Sequence, residues 1–124
     1  MTRKLLVTTG DAIDGAHIVE YLGVVRGIAV RVPTLSQGFQ ALGNVLKGNM
    51  QAGAEMYVEV SEQTRAEAFR LMAEHAKDLG ADAIIAMRYD ATEIGEAASE
   101  ILAYGTAVKL KYPEAIPITP GASA

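Results

Sequence analysis

The sequence has no cysteine and no tryptophan, and only two of its 124 residues are phenylalanine. Without thiols, disulfides, thiolate metal sites and cysteine nucleophiles are all excluded. Basic runs are missing as well. Nothing exceeds Arg3-Lys4, the formal charge is −4 and the pI is near 5.1. A nucleic-acid binder needs a basic stripe to neutralise phosphates, so nucleic acid is not an expected partner. No apolar run is long enough to span a bilayer. The start, Met1 to Val7, carries the charge of a leader, but only Leu5-Leu6-Val7 is apolar before Thr8-Thr9-Gly10-Asp11, too short for a secretory core. These absences predict a cytoplasmic protein that does not engage a membrane.

A chain of 124 residues makes one domain with a modest core. Half of the residues are apolar and the mean hydropathy is +0.17, much of it from alanine and valine. Such a surplus of small apolar residues over a limited interior predicts that further copies of the chain cover part of the surface. An alanine-rich monomer is the alternative.

Leu5 to Thr8 reads as a short strand, followed by Gly/Asp turn chemistry to Gly15. His17 to Val32 is β-branched and reads as one long strand or two in series, with Gly23 and Gly27 marking bulges or bends and Pro33 closing it. Ile28, Val30 and Val32 fall on one face, Ala29 and Arg31 on the other. Thr34 or Ser36 caps a first helix through Leu35, Phe39, Leu42 and Leu46, ended by Gly48-Asn49. A longer helix is expected over 54–79, with Ala54, Val58, Phe69, Met72, Ala76 and Leu79 on its apolar stripe and Ala66 and Ala73 beside it. Glu59, Glu67, Arg70, Glu74 and Lys77 line the opposite face, where Arg70–Glu74 and Glu74–Lys77 are spaced to pair. A capping box at Thr64–Glu67 would allow a later start. Gly80 takes the left-handed position after the helix.

Ala83 to Met87 is a continuous apolar run that suits a strand covered on both faces, extending through Tyr89. A turn begins at Glu93. The final strand, Glu100 to Lys111, puts Leu102, Tyr104, Thr106, Val108 and Leu110 on one face and Ala103, Gly105 and Ala107 on the other, in an antiparallel hairpin with its predecessor. The expected fold is α+β: an antiparallel or mixed sheet with one long and one shorter helix packed on it. The domain spans 1–111, and 112–124 reads as a flexible tail.

Three segments carry a resemblance: Ile18-Val19-Glu20-Tyr21-Leu22-Gly23-Val24-Val25-Arg26-Gly27, Leu79-Gly80-Ala81-Asp82-Ala83-Ile84-Ile85 and Tyr104-Gly105-Thr106-Ala107-Val108. In this order, flanking a long helix, they resemble the YbjQ-like family, also described as a heavy-metal-binding domain family. The resemblance covers residues 6 to 111. It implies a subunit of the dodecin-like type assembled as a ring-shaped homopentamer, and it implies no particular reaction.

Chemistry is sparse. Heavy-metal sites favour soft thiolates, which this chain lacks. His17 and Glu20, three apart on a strand, are expected on opposite faces. His75 and Asp78 share a helix face, but two ligands are too few to hold an ion. No metal ligands and no cofactor are therefore assigned. A metal on an oligomer axis, needing one ligand per copy, stays open as an alternative. The serines lack a nucleophile elbow. Gly43 to Gly48 has phosphate-loop spacing but lacks the Lys-Ser/Thr that would follow. Asp11-Ala12-Ile13-Asp14-Gly15 has an isoleucine where a calcium ligand belongs.

What remains are polar residues set among apolar strands: Glu20, Tyr21, Arg26, Asp82, Arg88 and Tyr104. A charge beside a core must be paired or solvated. One expectation is an ion pair of Glu20 or Asp82 with Arg26 or Arg88. The other is a polar pocket at a subunit boundary. A self-assembling module that binds a small ligand or a partner protein is favoured over an enzyme with an interfacial site.

Overall fold

A computed structural model describes residues 4–31, 46, 48, 50–95 and 98–113, and within 50–60 the helical backbone alone. The elements are β1 (Leu6–Val7), β2 (His17–Arg31), α1 (Met50–Asp78), β3 (Ala83–Ile94) and β4 (Ala98–Lys111). They form a mixed four-stranded sheet of order β1-β3-β4-β2, in which only the β1–β3 pairing is parallel. One face carries α1. The shorter helix expected over 34–48 lies almost wholly outside the described residues. Leu46 is helical there, and Gly48 has the positive φ of 80° suited to a helix end.

The buried face of α1 runs through Thr64, Ala68, Met72 and Ala76. The expected stripe holds for Met72 and Ala76, with Phe69 half-buried. It is corrected at Ala66 and Leu79, which are exposed, and at Ala68 and Thr64, which belong inside. Thr64 therefore sits mid-helix rather than capping a start, and the longer helix is the one formed. The correction follows from the partner surface. A Cβ added at Gly27 of β2 would fall on the Ala68 carbonyl oxygen and lie 2.5 Å from the Met72 amide nitrogen. Helix backbone thus rests directly on strand backbone, and no side chain fits at position 27. Gly27 is a contact point and not the expected bend.

On the outer face of α1, Arg70 binds Glu67 at 2.8 Å and Glu74 at 2.9 Å. The guanidinium holds the Glu67 carboxyl below its usual range through a side-chain hydrogen bond. The expected Glu74–Lys77 pair does not form. The helix ends in a Schellman motif, with the Gly80 amide donating to Lys77 O and the Ala81 amide to Ala76 O, and Gly80 at φ 77°.

Two cores result. Under α1, Val25, Ala29, Ile84, Met87, Ile101, Ala103 and Ala107 pack with Ala68, Met72 and Ala76. On the other face Ala83, Ile85, Val108 and Leu110 are covered by Leu6, Ile13, Ala16 and Ile18. The apolar run 83–87 is thus buried on both sides. The hairpin is longer than expected, reaching Ile94 and resuming at Ala98, with Gly95 at φ 71° in the turn.

Bulges set which way side chains point. β2 carries register shifts between Ile18 and Glu20 and between Tyr21 and Gly23. The extra residue places His17 and Glu20, opposite Lys111 and Lys109, on the same face, which overturns the expectation of opposite faces. β3 carries one extra residue between Ile85 and Arg88. It is Ala86, left-handed at φ 54° and anchored by its amide to Gly10 O.

Two substitutions test this packing. Gly27→Ala is expected to cost about 3 kcal/mol or more, seen as a lowered urea midpoint, because neither backbone can retreat. Ala86→Gly is expected to raise stability by about 0.5 kcal/mol, the left-handed strain relieved exceeding the entropy glycine adds.

Candidate functional site

Register brings three of the six candidate residues into one row. Arg26 on β2 stands opposite Tyr104 on β4, which stands opposite Arg88 on β3. Partners directly across a ladder share a face. This is the face away from α1, so Tyr104 lies between two arginines there. The row continues with Ile28, Leu102 and Asp90, then with Val30, Glu100 and Thr92. Tyr21 also lies on this face, opposite Val108.

Glu20 and Asp82 are not part of the row. Glu20 stands opposite Lys109 on the α1 side of the sheet, so it cannot reach Arg26 or Arg88. Asp82 sits where three strands meet. Its Oδ2 accepts the Leu110 amide at 2.8 Å, its own amide donates to Val108 O, and its carbonyl accepts from Leu6 N. Arg88 Nη1 donates to Thr9 O and Met87 O, each at 2.8 Å. It thereby holds the loop of residues 9–16 to the hairpin. The expected ion pairs among these four residues do not form; Asp82 and Arg88 are bound to backbone instead.

Beyond the loop, no described element covers the outer face. Tyr21 is 67% exposed, Val24 68%, Ile28 45% and Val30 54%. These four lie on β2, which is also an edge of the sheet along all its 15 residues. On that edge the Arg26 amide donates to His75 Nδ1 at 3.3 Å, which gives His75 a role the sequence reading did not find. At the opposite side β1 pairs only with Ala83 and Ile84, so β3 from Arg88 to Ile94 has no outer strand among the described residues. Tyr89, on the α1 side of this segment, is half-exposed, and partial burial pushes its phenol up.

A long helix laid over a four-stranded mixed sheet, with an open apolar face and no gathered catalytic set among the described residues, defines a small α+β module. A crystallised protein of unknown function from Pediococcus pentosaceus, of the DUF74 family, is similar in fold: TM-score 0.56 and 21% identity, over 86% of this chain and 98% of that one. A UPF0145 protein of Legionella pneumophila is 51% identical over 105 residues, covering 84% of this chain and 96% of the relative. UPF0145 proteins of Chromobacterium violaceum and Saccharolobus solfataricus are each 44% identical, covering 88% and 89% of their lengths and 86% and 84% of this chain. Residues 5–111 match the YbjQ family profile, described as "Putative heavy-metal-binding". The chain belongs to this family.

The described donors do not fit a heavy metal within one subunit. There is no thiolate, and among the described residues no three His, Cys, Asp or Glu side chains gather. His17 and Glu20 share a face without a third donor, and His75 Nδ1 already accepts the Arg26 amide. No helix among the described residues is long and apolar enough to cross a membrane.

Asp82→Ala is expected to cost about 2 kcal/mol, because it strands the Leu110 amide at the strand junction. Asp82→Asn, which keeps an acceptor, should cost about half of that. Glu20→Gln, followed by urea unfolding, should change stability by less than about 0.5 kcal/mol. Equal losses from Glu20→Gln and Asp82→Ala would show that Glu20 holds the fold after all.

Proposed function

We propose that the protein is a self-assembling homo-oligomeric module, a dodecin-like ring with the pentamer favoured, which binds a small ligand or partner protein at its subunit boundaries. The observation that carries this reading is the exposed apolar face on an edge strand. Tyr21, Val24, Ile28 and Val30 lie on β2, whose outer edge has no strand partner among the described residues. A long apolar edge is a template for another chain unless something covers it.

The two open edges are different surfaces: the length of β2 on one side, and β3 from Arg88 to Ile94 on the other. Pairing unlike surfaces gives head-to-tail contacts, which close into a ring when the rotation from copy to copy completes a circle. The family resemblance supports five copies. In this arrangement Arg26, Tyr104 and Arg88, with Tyr21 nearby, form the polar part of a boundary site. Glu20 and Asp82 lie behind it, Asp82 as support for the strands. Assembly of this kind suits a cytoplasmic protein, the compartment we assign.

Native mass spectrometry tests this at micromolar concentration. Five copies of a 13.1 kDa chain should give a species of about 66 kDa. Ile28→Lys and Val30→Lys should each shift the population toward 13.1 kDa with the far-UV circular dichroism unchanged. A wild-type protein that stays monomeric would refute the assembly.

A further inference from the structure

We propose that the groove between α1 and β1 binds a free amphiphile with one acyl chain and a carboxylate head. The groove has a volume of 740 Å³, and Leu5, Val7, Phe69, Ala73 and Ala81 form its apolar walls. This is the size range of small-ligand sites, which combine apolar walls with a few placed polar groups. The groove exists because α1 packs mostly over β2, less over β4 and least over β3. The β1 side of the sheet therefore keeps an apolar flank without a helix above it.

Charge complementarity identifies the head group. Lys4 and Lys77 stand on the groove, and among the described residues no carboxylate side chain lines it. Neither lysine pairs with a described residue. Lys77 is left without its helical neighbour because Arg70 takes both Glu67 and Glu74. Glu74 lines only the continuation of the groove across the helix, a further 430 Å³ with Phe69, Arg70, Ala73 and Lys77, where its carboxylate is held by Arg70. The end of the helix does not repel an anion as an open terminus would, since the Ala76 and Lys77 carbonyls accept the Ala81 and Gly80 amides. Two unpaired ammonium groups beside an apolar trough match a carboxylate followed by hydrocarbon.

This inference is independent of the assembly, and its test uses the full chain. Titration calorimetry with decanoate, below its micelle concentration, should show saturable binding near one molecule per chain. Decyltrimethylammonium, with the same chain and opposite charge, should bind far more weakly. Lys77→Glu and Lys4→Glu should each weaken decanoate about threefold to fivefold, the size of one partly exposed charge contact. Ala73→Trp, which fills the trough without changing charge, should abolish binding while thermal unfolding and native mass stay as in the wild type. Four outcomes overturn the proposal: no decanoate binding; equal binding of the two amphiphiles; binding only to anionic phospholipid vesicles; or dissociation of an assembly by Ala73→Trp, which would make the groove a contact between copies.

Discussion

Helix α1 lies against the sheet at backbone distance, and this is possible only because Gly27 has no side chain. The close approach selects Ala68 and Ala76 beside Met72 as the inward face and brings the helix over the β2 side of the sheet. Dispersion contacts grow with proximity, so a glycine–alanine seam recovers packing that larger residues would supply in a thicker core. The rest of the molecule is arranged around that placement. Val25 and Ala29 are buried beside Gly27, the β1 flank keeps a trough, and among the described residues the loop of residues 9–16 is what covers the far face of the sheet.

Two of the charges in this small domain fasten backbone. Asp82 and Arg88 hold strand and loop groups whose desolvation would otherwise be costly. Arg70 gathers two glutamates on the solvent side of the helix. That surface triad adds little to stability, being exposed and screened by salt, but it decides which charges stay uncommitted. Arg26, Lys4 and Lys77 keep their charges free of ion pairs with any described residue, and each stands where apolar surface is open.

Much of the fold was legible in the sequence. The order of the described elements, the long helix closed by Gly80, the two-sided burial of 83–87 and both faces of β4 follow from periodicity and turn chemistry. The inner face of α1 was misread because the pattern gave weight to large residues, whereas a backbone-to-backbone contact requires small ones, and Ala68 carries no hydrophobic signal that separates it from Ala66. The hairpin extended past the reading because ladder hydrogen bonds need no burial, so Ala91-Thr92-Glu93 can pair while exposed. Of the site, the residue types were identified but not their partners. Asp82 and Arg88 bind main-chain groups, which every residue possesses, so no sequence pattern could have named Leu110 or Thr9. The row of Arg26, Tyr104 and Arg88 depends on register, and the extra residue that sets it looks like any other alanine.

That extra residue makes the parity of β3 a property of one position. Before Ala86, odd-numbered residues point away from the helix; after it, even-numbered residues do. Deleting Ala86 would take out the bulge and leave the later faces as they are: Met87 would follow Ile85 onto the helix side, and Arg88 would stay on the open face. A one-residue insertion or deletion elsewhere in the strand would turn the residues beyond it over for as long as the bulge stands. The bulge is therefore the one place where a lineage could change the length of this strand by a residue without rewriting its surface.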